Sequence, residues 1–82
     1  QHFDLDLAIL GKPEERFDEY ELGVRKEYAW VPEAEFRARR ADILEVFLGR
    51  KNIYSTEFFR ERYADQAKKN LARSIAKLRQ KP

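Results

Sequence analysis

Three residues that could bind a metal, His2, Asp4 and Asp6, stand near the beginning of this 82-residue chain. Imidazole nitrogen and carboxylate oxygen are ligands that Mn, Fe, Mg and similar metals accept. On a helix, positions 2 and 6 would share one face, because residues four apart are neighbours there. The alternative is an acidic helix start with a His nearby, which is the commoner origin of such spacing. The cluster therefore predicts a metal site only if further ligands join it.

The remaining inventory excludes most other catalytic chemistry. His2 is the only His, and the chain has no Cys. Because His2 is remote from Ser55 and Ser74 in sequence, we expect no Ser–His catalytic arrangement, and the sequence contains no Gly-rich phosphate loop. Without Cys, neither a disulfide framework nor a zinc ribbon can form. We do not expect this chain to be a working enzyme by itself.

Apolar residues recur at helical spacing in three segments, so we predict an all-α fold. The expected helices cover residues 13–31, 32–48 and 56–79, preceded by a helix stub at 3–10, in one domain or part of a domain over 1–82. Their predicted buried faces are Phe17, Tyr20, Val24, Tyr28 and Val31; Phe36, Ile43, Leu44, Phe47 and Leu48; and Phe59, Tyr63, Ala67, Leu71, Ile75 and Leu78.

Glycines, prolines and hydroxyl residues set the expected helix ends. Gly11 suits the position after a helix, and Pro13 and Pro32 suit the first helical position. Gly49 is predicted to end the second helix, and Ser55 or Thr56 to cap the third. Residues 50–54 are predicted to form a short loop.

Charge is unevenly distributed along the chain, which has a net charge of +2. The basic residues near the end are Lys68, Lys69, Arg73, Lys77, Arg79 and Lys81. Such a tail could bind nucleic-acid phosphates, but a solvated cationic end to an amphipathic helix is the interpretation we favour. The longest apolar runs are only a few residues, so no membrane span is predicted.

The run from Phe3 to Gly11 resembles a stretch of the predicted metal-dependent HD-superfamily phosphohydrolases of bacteria. The resemblance covers nearly the whole chain. It continues through Tyr20, residues 24–28, Val31-Pro32, Phe36-Arg37, Arg40, Ile43-Leu44, Phe47-Leu48, Ile53-Tyr54 and residues 70–73.

The resemblance implies a role for Asp6. In that family the metal site needs an early His, a His-Asp pair and a late Asp, and Asp6 matches the late Asp ahead of Asp4 and His2. The earlier ligands are not in this sequence, so the divalent metal would belong to an intact parent protein. We therefore expect a C-terminal portion of a larger helical HD-type domain, whose remainder would be its partner. The absence of Met and the start at Gln1 favour the same interpretation.

Arg25 is a second candidate site residue, because a guanidinium can contact a substrate phosphate. The structural alternative, which we favour, is an ion pair with Glu21 four residues earlier on the same helix face.

Two further functions stay open. One is a non-catalytic helical module that self-associates into a homo-oligomer through apolar faces that three helices cannot bury. The other is weak nucleic-acid binding through residues 68–81. With no secretory signal, a cytoplasmic location is expected.

Overall fold

The computed structural model describes residues 7–80, and these residues form a 3-10 turn followed by three α-helices. The turn is Ala8–Gly11, and the helices are Glu14–Glu27 (α1), Glu33–Leu48 (α2) and Glu57–Arg79 (α3). No strand occurs within residues 7–80, so the all-α prediction is confirmed. Residues 3–6 of the predicted stub lie outside the described residues.

The longest helix, α3, determines the shape of the molecule. Its 23 residues span about 33 Å at the usual helical rise, close to the 38 Å length of a body 20 Å wide. α2 packs antiparallel to it, because Arg37 near the start of α2 contacts Leu78 near the end of α3. The core between the elements consists of Leu10, Phe17, Leu44, Ile53, Tyr54, Ala67 and Leu71.

The first helix ends at Glu27, four residues before the predicted end at residue 31. Pro32 explains the difference, because it disfavours helical geometry at Val31 and cannot donate a hydrogen bond to the carbonyl of Tyr28. That carbonyl instead accepts from the amide of Val31 at 2.9 Å. The residues between Glu27 and Pro32 therefore form a turn.

The predicted helix caps are mostly confirmed. The side-chain oxygen of Thr56 caps α3 by accepting from the backbone amide of Phe59 at 3.5 Å. Gly49 is the C-cap of α2. Pro13 and Pro32 lie one position earlier than predicted, at the N-caps. Their extended backbone leads the chain into each helix.

The predicted face of α3 lies in or against the core, with two of its residues buried and four partly buried, whereas the faces of α1 and α2 are only partly as predicted. Tyr20, Tyr28 and Ile43 are exposed to between 41% and 48%, although they were expected in the core. In their place, the loop between α2 and α3 contributes Ile53 and Tyr54, which are buried. Both residues belong to the hydrophobic core.

Candidate functional site

Residues 7–12, called here the anchored segment, are held by buried side chains from the second half of the chain. The hydroxyl of Tyr54 donates to the carbonyl of Leu7 at 2.9 Å. The side-chain nitrogen Nδ2 of Asn70 donates to two backbone carbonyls, those of Leu10 at 2.9 Å and Lys12 at 2.8 Å. Three backbone carbonyls of one short segment are therefore fixed by two side chains.

Gly11 lets the anchored segment lie directly against α3. A Cβ atom at this position would stand 2.5 Å from the Cβ of Tyr63 and 2.6 Å from its carbonyl oxygen. Real atoms do not approach so closely, so only glycine fits without a shift of the backbone. The glycine serves close packing rather than the predicted helix-end geometry, since no residue from 7 to 80 has positive φ.

Asn70 connects the anchored segment to a wider polar network. It is 1% exposed, and its side-chain oxygen accepts from Gln66 at 2.9 Å and from Arg73 at 3.4 Å. Arg73 also pairs with Glu14 and Asp18 of α1, at 3.2 and 2.9 Å. The network thus ties the anchored segment, α1 and α3 together.

The predicted metal ligands His2, Asp4 and Asp6 lie outside the described residues. Within residues 7–80, no group of three His, Cys, Asp or Glu side chains could hold a metal ion. The described residues begin one residue after Asp6, with the anchored segment that Tyr54 and Asn70 hold in place.

The side chain of Arg25 binds the backbone of the turn between α1 and α2. Its guanidinium donates to the carbonyls of Tyr28 and Val31, both at 3.1 Å, and pairs with Glu33 at 3.2 Å. It also lies over the ring of Phe36, 4.6 Å from the centroid. The expected pairing with Glu21 is therefore wrong, and binding of a phosphate by Arg25 stays a prediction.

Glu21 pairs with Arg40 of α2 instead. Two hydrogen bonds join the side chains, one of them 3.1 Å long, and the side chains are only 15% and 13% exposed. Burial alone would lower the pKa of Arg40, but the hydrogen bonds and charge of Glu21 outweigh it and raise that pKa. The pair holds α1 against α2 from a site that excludes most water.

Two arginines of the basic tail are already paired with acids. Arg73 contacts α1, as described above, and Arg79 pairs with Asp42 and Glu45 of α2 at 2.7 Å each. Lys68, Lys69 and Lys77 are exposed, and Lys81 lies beyond the described residues. This pairing reduces the charge that the tail could offer to a nucleic acid. Among the described helices, none is long and apolar enough to cross a bilayer.

Comparison with protein-family models, with curated proteins and with solved structures finds no match.

Sequence reasoning missed the structural part played by Asn70 and Tyr54. Asn70 adjoins the apolar stripe of Ala67 and Leu71 in the middle of a long helix, where Asn is an unfavourable residue. That placement is a usable signal of a buried hydrogen-bonding role. Tyr54 gives no comparable signal, because a loop has no periodicity that separates buried from exposed positions.

Proposed function

We propose that this chain is the C-terminal helical part of an HD-type metal-dependent phosphohydrolase. In the intact protein it would contribute Asp6 as one metal ligand, and its helices would hold that residue in place without performing the reaction. In the family that the chain resembles, the other ligands are an early His and a His-Asp pair; residues 7–80 contain no group of three His, Cys, Asp or Glu side chains that could hold a metal ion.

One observation carries the proposal: segments far apart in sequence that bear the family resemblance contact each other. The anchored segment contains the Leu-Ala-Ile-Leu-Gly part of the first run. Its partners, Tyr54 and Asn70, belong to two other resembling segments, 47 and 60 residues away from Leu7 and Leu10 respectively. These contacts support the proposal by joining three segments of the resemblance in one packed unit.

The arrangement suits the positioning of a ligand. A metal site requires its ligands to be held within about 0.5 Å of the productive geometry, which flexible backbone does not provide. Here the backbone on the C-terminal side of Asp6 is fixed by three side-chain hydrogen bonds and by the close contact between Gly11 and Tyr63. Residues that orient ligands from behind commonly affect metal affinity as well.

The test is the substitution Asp6→Asn in the full-length protein that contains these residues. We expect loss of bound divalent metal, measured per chain by mass spectrometry. Hydrolysis of p-nitrophenyl phosphate should fall at least about 100-fold, because the residue would bind the metal directly. Asp4→Asn serves as the matched control and should retain both properties. A protein with Asp6→Asn that keeps its metal and its hydrolytic rate would disprove the proposal.

A further inference from the structure

A cleft of about 400 Å³ opens between α1, the start of α2 and the end of α3. Its apolar lining consists of Leu22, Phe36 and Leu78, one side chain from each helix. Leu22 is 64% exposed, so part of this apolar lining faces water. A concave site of this size, with an apolar lining and a few polar groups, has the usual form of a small-molecule site.

The two acids of α1 that line the cleft, Asp18 and Glu21, are paired with arginines outside the lining. Asp18 contacts Arg73 at 2.9 Å, and Glu21 contacts Arg40. Arg73 is shared with Glu14 at 3.2 Å. Because both acids already have a cationic partner, the cleft does not favour a cationic ligand.

The basic residues of the lining have fewer partners. Arg25 and Arg37 share a single carboxylate, that of Glu33, at 3.2 and 3.5 Å. Lys77 is exposed and makes no ion pair with any other residue between 7 and 80. The ammonium group of Lys77 is therefore available to an anion that enters the cleft.

The charges around the cleft indicate which anion fits. The lining residues and their ion-pair partners comprise Arg25, Arg37, Arg40, Arg73 and Lys77, against Glu14, Asp18, Glu21 and Glu33. One positive charge is left over. A carboxylate carries one negative charge at neutral pH, whereas a phosphate monoester carries about 1.5 to 2. The site therefore matches a carboxylate.

We infer that the cleft binds a small carboxylate with an apolar tail, such as a medium-chain fatty acid. The carboxylate contacts the ammonium group of Lys77, and the tail lies against Leu22, Phe36 and Leu78. No residue of the anchored segment lines the cleft. The inference is therefore independent of the phosphohydrolase proposal.

The test uses hexanoate as the probe, titrated into the isotope-labelled 82-residue chain and followed by amide chemical shifts. We expect a Kd below about 20 mM, with the largest shifts at Leu22, Ser74 and Lys77, which line the cleft. Shifts centred on Ile43, which lines a different groove between α1 and α2, would overturn the inference. So would the absence of shifts up to about 50 mM hexanoate.

Hexan-1-ol tests the contribution of the charge, because it has the same tail without the carboxylate. We expect it to bind at least about threefold more weakly than hexanoate. Lys77→Gln should weaken hexanoate binding about three- to fivefold and leave hexan-1-ol binding unchanged. Lys69→Gln is the control, since Lys69 is exposed in the same helix but does not line the cleft. Equal binding of the two probes, or equal effects of the two variants, would overturn the role of Lys77.

Leu22→Ser tests the apolar lining. It should weaken the binding of both probes at least about threefold, because the tail loses apolar surface to contact. Ile43→Ser is the matched control, since Ile43 is 48% exposed and lines the other groove, and it should leave both Kd values unchanged. Equal losses from the two variants would show association with any exposed apolar surface and would overturn the proposed site.

Discussion

Asn70 occupies a position in α3 where an apolar side chain would ordinarily complete the core. Burial of an amide is costly unless each polar atom finds a partner. Here both side-chain atoms are satisfied, the nitrogen by two carbonyls and the oxygen by Gln66 and Arg73. Where an apolar residue would contribute packing, Asn70 contributes hydrogen bonds to the backbone of the anchored segment.

Asn70→Asp should destabilise the fold by about 2–4 kcal/mol near neutral pH. The substitution keeps the shape of the side chain but removes two donors and directs a carboxylate at two carbonyl oxygens. Burial and these oxygens should raise the pKa of the new carboxyl above its unfolded value of about 3.9. The loss of stability caused by Asn70→Asp should therefore be greatest at pH values above the raised folded pKa. It should become smaller as the pH falls through that pKa.

Urea unfolding at several pH values measures this effect. Asn52→Asp is the control, because Asn52 is exposed and the same chemical change there should cost little. If the two variants lost the same stability at every pH, the buried amide would not hold the anchored segment as described.

At the scale of the elements, Gly11 and Gly23 differ in whether there is space for a side chain. Gly11 lies in the 3-10 turn against Tyr63, where even one added carbon collides. Gly23 lies inside α1, and a Cβ there would meet nothing within 4 Å. Replacement of glycine by alanine should therefore lower the free energy of unfolding at Gly11 and raise it at Gly23.

Gly11→Ala should destabilise the protein by about 2–3 kcal/mol, because the turn must move away from α3. Gly23→Ala should stabilise it by about 0.5–1 kcal/mol, since alanine restricts the unfolded chain and favours the helix. Thermal and urea unfolding of both variants check the signs. A neutral or stabilising Gly11→Ala would show that the close approach of turn and helix is not required.

The helices were predictable from sequence, whereas the way they cover one another was only partly so. The stripe from Phe59 to Leu78 lies in or against the core as expected, with Ala67 and Leu71 buried and the other residues partly buried. Ile43 fits the stripe of α2 equally well by spacing but is 48% exposed. Periodicity identifies an apolar face, but it does not say whether a neighbouring element reaches that face.

The candidate site was less predictable than the fold, for a related reason. Asp6 came from the resemblance, and the structure does not describe it. The contacts of Asn70 and Tyr54 with the anchored segment join residues 47 to 60 positions apart, and no local pattern encodes such pairings. Arg25 illustrates the same limit, because its acidic partner, Glu33, lies on the next helix rather than its own.

On the scale of the whole molecule, the end of α3 is clamped to α2 by two arginines. Arg37 donates to the carbonyls of Lys77, Leu78 and Gln80 at the end of α3. From the other side, Arg79 pairs with Asp42 and Glu45. The hydrogen bond from Arg79 holds the pKa of Glu45 below its usual range.

The clamp should make stability depend on pH in the acid range. A carboxyl whose folded pKa is lowered stabilises the fold above its unfolded pKa of about 4.3. That stabilisation is lost as the pH falls through the lower folded value. Arg79→Gln should therefore reduce the Tm at about pH 7 and have little effect near pH 2.

Thermal unfolding of the original chain and of the Arg79→Gln variant, at about pH 7 and at about pH 2, measures the difference in Tm. Lys69→Gln is the control, because it removes one positive charge at an exposed position of the same helix and leaves the clamp unchanged. A Tm difference for Arg79→Gln that persists unchanged in acid would contradict the assignment of the effect to Glu45.

The anchored segment also has a consequence for how the chain is made. Residues 7–12 leave the ribosome before any of their fixed partners exist, since Asn70 follows Leu10 by 60 residues. Contacts of such long separation form late and slow the folding that depends on them. Among residues 7–80, the anchored segment is therefore one of the last parts to reach its final position, because it must wait for α3 to be present.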